Sequence, residues 1–479
     1  MLPDHQIAIL SRSSQKNLRN LKQLKSQNHS LRQLLEQLQS KDLVICSDVF
    51  INYYDGSTEE SFKLLAHTPK VVPRSNKNLV HKVPIHDIPA APDNLIEEIP
   101  SQPIVYRLGD DYEGERITMA YLGLDVGTKT MVLSFKDDKG KTQYISEING
   151  FWPFERGTPF IENMLNDSSK VRSDGVKRAA RYFKDEENGQ LVVIGKDAEE
   201  FAYSKNDTLL RPMAEGGISP DDMAMTVLTA IIHGLIGMAE RQIGKFKEEV
   251  KICYCTTANA LNKQNNIAYH ERAVDLILRS YKSDQTLSYN KIKESHAIVL
   301  NMSPDGTGIG ISWGAGTVTV SYVKYGLEVY SFCWVGAGDW IDTQVAMRHG
   351  FDPDNSKFKR KSKETPTTVA KRKQEIDLTP NCSQKDRLSL DIELHYDVLI
   401  NQVIEGIIQG FNENESEARI EDGITIYMAG GTSCPKGFSE RVKDAFARKS
   451  PPFEIKAVKR HDNPLFCVAE GCLKASEMF

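Results

Sequence analysis

The sequence has no apolar run long enough to cross a bilayer. Its longest, such as Ala230 to Met238, stop well short of the ~20 residues a spanning helix needs. It has no overall basic excess: 60 lysines and arginines stand against 65 aspartates and glutamates, a net charge of -5, so the balance does not argue for nucleic acid. Met1 to Leu10 lacks the charged start, long apolar core and cleavage site of a signal peptide. The eight cysteines are scattered, and only Cys253 and Cys255 lie close together. On an apolar run that spacing reads as alternate faces of a buried strand, not as a metal knuckle. Reduced thiols and a cytoplasmic home are expected. What remains is the make-up of a globular soluble protein, 40% hydrophobic and 26% charged. At 479 residues the chain is too long for one small core, so two or more domains are expected.

The first hundred residues differ from the rest. Residues 16–41 read as a helix with leucines in a heptad pattern: Leu21, Asn28 and Leu35 on one seam position, Leu24, Leu31 and Leu38 on the other. A lone asparagine in such a seam fixes register in parallel two-stranded coils. Lys16, Arg19, Lys22, Lys25 and Arg32 share the stretch, which leaves a basic amphipathic helix on a membrane or nucleic acid as a rival. Self-association ranks first, packing on the chain's own body second, and peripheral membrane contact last, because the apolar face has leucine without aromatics. Residues 43–65 suit a small strand unit, and seven prolines between Pro69 and Pro103 suit an extended linker.

The chain then turns on Tyr121-Leu-Gly-Leu-Asp-Val-Gly-Thr-Lys-Thr130: an apolar strand, an aspartate, a Gly-Thr turn and a second strand. Gly127 permits a turn that frees the N–H groups of Thr128 and Lys129 for an anion, with Asp125 placed to hold a metal on it. Strand and helix signals alternate beyond it in the α/β manner, including a strand at Val250–Cys255, a helix at Tyr269–Tyr281 and a strand at Ala297–Met302. Gly308 to Val323 repeats the hairpin, with Ser312 lying 187 residues after Asp125. Two copies of one phosphate-cradling hairpin suggest a nucleotide held between lobes. Val335-Gly-Ala-Gly-Asp-Trp-Ile-Asp342 opens a helix, Lys357 to Lys363 is a charge run, and Ile424 to Ser433 is a strand ending in glycines.

These elements, in this order, resemble the actin, sugar-kinase and DnaK-type chaperone ATPase superfamily, and within it the MreB-like bacterial actins. The opening hairpin is similar to the first phosphate motif, Ser312–Thr317 to the second, and Met428–Ser433 to the adenosine motif. Val335–Asp342 and Lys293–Leu300 are similar to the two connecting motifs. The resemblance implies an α/β, two-lobed actin-like ATPase fold: duplicated ribonuclease H-like domains around a nucleotide cleft, with an N-terminal helical extension. It covers roughly residues 119–479 and implies lobe I at 119–310 and lobe II at 311–479, while the residues ahead of it read by themselves as a helical segment at 1–45 and a small unit and linker at 46–118. It implies ATP and Mg2+ as cofactors, with Asp125 holding the metal. Gly127, Thr128 and Lys129 would wrap the terminal phosphates from one lobe, and Gly314, Ala315, Gly316 and Thr317 from the other. Gly338 and Asp339 would border the ribose, Gly430, Gly431 and Thr432 the adenine, and Lys373 and Glu375 the nucleoside. Glu294 would orient the attacking water.

Two positions depart from that pattern: the aspartate that begins the second phosphate motif is Ser312, and a following acid is Thr319. The expected function is therefore an ATP-binding, MreB-like protein that self-assembles and is at most a weak ATPase. The alternative is a nucleotide-gated adaptor, a pseudo-ATPase that recruits a protein partner through residues 1–45. A chaperone-like or kinase-like enzyme ranks below both, since no substrate-binding base stands out between the lobes.

Overall fold

The computed structural model describes residues 119–478 apart from the loop stretches 155–156, 173–174, 186–188, 205–208, 220–222, 244–248, 282–285, 353–363, 380–385 and 419–422. Of Met1–Glu98 it describes four short strands. Gln6–Ala8 pairs antiparallel with Asn52–Tyr54, and Leu43–Ile45 pairs with Val71–Pro73. The leucine seam of residues 16–41, most of the proline-rich stretch and the charge run at Lys357–Lys363 lie outside the described residues.

Ile99–Phe479 is built on two five-stranded sheets. The first contains β1 (Met119–Val126), β2 (Thr130–Lys136), β3 (Thr142–Ile148), β4 (Glu249–Thr256) and β5 (Thr286–Lys293), in the spatial order β5-β4-β1-β2-β3. The second contains β6 (Gly308–Trp313), β7 (Thr317–Lys324), β8 (Leu327–Val335), β9 (Ile424–Ala429) and β10 (Ile455–Arg460), in the order β8-β7-β6-β9-β10. Each is three antiparallel strands followed by two parallel ones, so the repeat in the sequence is a repeat of topology. A smaller three-stranded sheet (Phe151–Pro153, Leu191–Ile194, Tyr182–Lys184) is inserted after β3.

Helices cover the sheets: α1 (Ala224–Ile243), α2 (Ile267–Ser280), α3 (Glu294–Met302), α4 (Gly338–Arg348), α5 (Pro366–Glu375), α6 (Arg387–Glu413), α7 (Phe438–Lys449) and α8 (Cys467–Ser476). Among the described residues no helix is long and apolar enough to cross a membrane.

The two-residue period of a strand decides which side chains meet which layer. Leu122, Leu124 and Val126 of β1, with Val250, Ile252 and Tyr254 of β4, face one core together with α1 and α2. Ile309, Ile311 and Trp313 of β6 face a second core with α4, α6 and α7. The opposite faces hold Gly123, Asp125, Gly310 and Ser312, and they look onto α3 and α8. Backbone meets backbone there. A Cβ on Gly123 would lie 2.2 Å from the Ala469 carbonyl oxygen, one on Gly310 2.0 Å from that of Ser295, and one on Gly471 2.0 Å from that of Ala297. The Ser134 hydroxyl pins α8 by donating to the Ala469 carbonyl at 2.7 Å.

Two local expectations are corrected. Ala297–Met302 is not a strand but most of α3. Its apolar run is buried between the two sheets, and a short run apolar on every side carries no period by which helix and strand differ. Cys253 and Cys255 do not lie on alternate faces. Residues two apart in a strand share one, and both thiols meet Cys472 of α8.

The crossing yields a stability test. Gly471→Val forces α8 off α3, and overpacking of this kind costs about 1–3 kcal/mol or more. Gly217→Ala, whose Cβ would have its nearest neighbour 4.0 Å away, is the control. Urea unfolding should show a large loss for the first and little for the second. Equal midpoints would remove the crossing from its place as the tightest contact.

Candidate functional site

The parallel strands β1, β4 and β5 end side by side, as do β6 and β9, and in open α/β sheets ligands gather at such carboxyl ends. Asp125 lies at the end of β1, with the Cys255 thiol donating to its Oδ1 at 3.1 Å and the Val126 N–H donating to that sulfur at 3.3 Å. Glu294 follows β5 directly, since Lys293 pairs with Thr256 of β4, and it opens α3. Thr319 donates to Glu294 Oε2 at 3.5 Å and shares a 3.0 Å hydrogen bond with Thr257. The hydroxyl of Ser312, the residue that replaces an expected aspartate, also donates to Glu294.

Both acids are held well above the ordinary carboxylate range. Burial is the main cause for each, and the charge of Asp125 adds to the effect on Glu294. Two half-buried carboxyls near each other resist ionising together, and a cation between phosphate and carboxylate relieves that cost. Among the described residues no cluster of three or more His, Cys, Asp and Glu could hold a metal alone. Magnesium needs no such cluster, because it keeps waters and takes one or two carboxylates together with substrate phosphates. The donors at Asp125 fit that chemistry.

The two hairpin turns face each other. A Cβ on Gly316 would lie 2.9 Å from the Thr128 hydroxyl and 3.1 Å from the Gly216 backbone nitrogen, so these elements leave backbone-sized space only. Ala315 is absent from the left-handed backbone region among the described residues, so its methyl group is accommodated without strain. Gly314 accepts from the Thr432 hydroxyl at 2.7 Å and from the Gly338 N–H at 3.3 Å, which joins the second hairpin to the glycines after β9. Gly430, at φ 94°, packs against Trp313, where a Cβ would lie 2.4 Å from the Trp313 carbonyl oxygen. Gly431 and Thr432 form a short 3-10 turn beside it.

Lys373 is buried beneath Gly338. Its Nζ donates to the Gly338 carbonyl at 2.5 Å and pairs with Asp342 at 2.7 Å. Burial lowers the Lys373 ammonium and raises the Asp342 carboxyl, each partly offset by the other, and the charge of Lys129 reaches both. Glu375 is exposed at the last position of α5. Asp339 donates its N–H to the Ala315 carbonyl at 2.8 Å, while its carboxylate pairs with Arg211 at 2.5 Å.

Four residues at this site were not assigned to it from the sequence: Arg211, Asp342, Cys255 and Asn149. Asn149 braces the first turn, its side-chain amide donating to the Gly127 carbonyl at 2.9 Å and its backbone N–H to that of Lys129 at 2.9 Å. A readable signal existed for Asp342, which stands one helical turn beyond Gly338 in the same motif. None existed for Asn149, while Arg211 opens a glycine-containing turn, Arg211 to Ile218, that the sequence marks without showing its partner.

The duplicated sheets, the two crossing helices and the facing glycine turns define a two-lobed, actin-like ATPase fold, similar to that of bacterial actins. A family model described as Volactin matches residues 119–476, and the chain belongs to that family. Among solved structures, a MamK double helical filament aligns with a TM-score of 0.51 at 16% identity, covering 75% of this chain and 99% of that one. MreB5 of Spiroplasma citri bound to ADP gives 0.47 at 15% identity over 74% and 95%, and the ethanolamine utilization protein EutJ from Carboxydothermus hydrogenoformans 0.41 at 13% over 80% and 94%. No curated protein matches the sequence.

The acid pair has a pH signature. Both carboxyls are raised on folding, so the folded protein keeps protons that the unfolded chain releases. Their contribution is therefore whole below the ordinary values and is lost as pH rises through the raised ones. For Glu294 the window runs from 4.5 to about 8. In nucleotide-free protein, the stability of wild type relative to Glu294→Gln should fall by about 1.4 kcal/mol or more across that window, the worth of at least one unit. Urea melts at several pH values measure it, and a flat difference would mean that Glu294 is not held above its ordinary range in the folded protein.

Proposed function

We propose that this chain binds ATP with magnesium between its two sheets, self-associates, and turns the nucleotide over slowly. The observation that carries the reading is the pair of neighbouring, half-buried carboxyls, Asp125 and Glu294, at strand ends lined by backbone-only turns. In this reading Asp125 holds the metal and its waters, and the bound metal supplies charge neutralisation at the phosphates. The turns at Gly127–Lys129 and Gly314–Thr317 present N–H groups to the phosphates. Lys373 and Asp342 support Gly338 at the ribose, and Gly430–Thr432 face the base. Glu294, gripped by two hydroxyls, is left to orient water.

Slow turnover follows from Ser312 and Thr319. A serine hydroxyl cannot carry the charge with which an aspartate orders metal-bound water or accepts a proton near neutral pH. General-base assistance is typically worth about 10² to 10⁴ in rate, so losing part of it leaves binding intact and chemistry slow. The same departure supports a second reading, a nucleotide-gated adaptor in which residues 1–45 recruit a partner. Residence in the cytoplasm accords with either.

ATP with magnesium should raise the unfolding temperature, by a shift worth about 2.7 kcal/mol at a hundred times the dissociation constant. Asp125→Ala should abolish that shift. Ser312→Asp adds a third acid beside Asp125 and Glu294. It should destabilise the empty protein, speed phosphate release, and change ATP affinity less than rate. Absence of a thermal shift with any purine nucleotide would sink the reading, and brisk wild-type hydrolysis indifferent to Ser312→Asp would refute slow turnover.

A further inference from the structure

Helix α6 runs for 27 residues, and its inner face is core: Ile392, Tyr396, Leu399, Ile400, Val403, Ile404 and Ile407 are buried. Its outer face is not the polar surface that such a helix ordinarily shows to water. Leu390, Leu394 and Val398 point outward with 53%, 46% and 38% of their surface exposed. Spaced four apart, they form one stripe along the helix. Single exposed aliphatics need no explanation, but an aligned row does.

The charges beside the row are neutralised from within the body. Asp391 is held by Arg348 and His349, while Glu393 and Asp397 are both held by Arg441 of α7. Acids tied down in this way no longer oppose the approach of a second apolar surface, and depletion of free charge at the centre is what separates interface cores from ordinary surface. Further along the same outer line stand Arg387 at the start of the helix and Glu405 beyond its middle, both exposed.

We propose that the outer face of α6 is a pairing surface for a second copy of this chain, with the two α6 helices antiparallel across a two-fold axis. The register follows from the helix itself. With the axis between Leu394 and Val398, each Leu394 packs on Val398 of the other copy. Each Leu390 lies along Asn401 and Gln402, and each Arg387 reaches Glu405. The polarity is self-complementary, since a parallel arrangement would set arginine against arginine and glutamate against glutamate. Glu405 already pairs with Lys449 at 2.5 Å on the surface, so the incoming guanidinium must share that carboxylate with the lysine or displace it. Because a two-fold contact uses the same patch on both partners, it closes at two copies. The face therefore pairs bodies or strands of bodies, and any elongation of a filament must use another surface. The inference rests on the self-association reading above.

Charge reversal tests it in the full-length protein, by sedimentation velocity over a concentration series with and without ATP. Leu394→Glu with Val398→Glu should raise the concentration for pairing by about thirtyfold or more, the cost of losing an interface hot spot. These side chains are exposed, so the unfolding temperature should be unchanged. Arg387→Glu and Glu405→Arg should each weaken pairing, and the double variant should restore it, which a merely structural role for α6 would not produce. If wild type assembles and all four variants assemble equally well, the face is wrong and self-association stands on another surface. If wild type stays monomeric at every concentration, both the face and the self-association reading fall.

Discussion

The rest of the molecule depends on the contact in which two short helices cross backbone to backbone between two sheets. Gly123, Gly310 and Gly471 are each placed where a single carbon would collide with a carbonyl oxygen of α3 or α8. Because these helices touch the sheets so closely, the strands on either side end at the same level. That alignment, and not any attraction between Asp125 and Glu294, brings the two acids together. Their proximity is electrostatically unfavourable and is maintained by the close packing around it.

A site assembled in this way is legible in part. The local, repeated elements could be read because each has its own pattern: strand, acid or hydroxyl, glycine turn, strand. Gly123-Leu-Asp125 and Gly310-Ile-Ser312 show the same register in sequence and in space, one glycine under a helix and one polar residue at the strand end. The misread segment, Ala297–Met302, is the one buried from every direction. Amphipathic period disappears there, and the sequence carries no contrast between inside and outside.

The residues that stayed invisible are those whose role arises from long-range closure. Cys255 reads as one more apolar strand position until Asp125 is found beside it, 130 residues away in the chain. Asn149 ends a strand like many asparagines do, yet its amide fixes the turn at Gly127. Arg211 comes from a loop that only its partner across the cleft explains. Single-residue chemistry was insufficient in each case, because the information lies in the pair.

The Arg211–Asp339 pair has a consequence of its own. It links the strand-and-loop layer of the first sheet to the head of α4 on the second, and both side chains keep about a third of their surface in water, at 28% and 34%. The helix crossing rests on close backbone packing, with an added hydrogen bond from the Asn301 amide of α3 to Glu470 of α8 at 2.6 Å. Dissolved salt therefore acts unequally on the two contacts: it partly screens the solvent-exposed ion pair and leaves the backbone packing of the crossing nearly untouched. The pair is thus one salt-sensitive tie among several between the halves, since the backbone hydrogen bonds of Asn259 and Leu261 with Cys333, and those of the Asn262 amide with Val335, also join them and do not depend on ions.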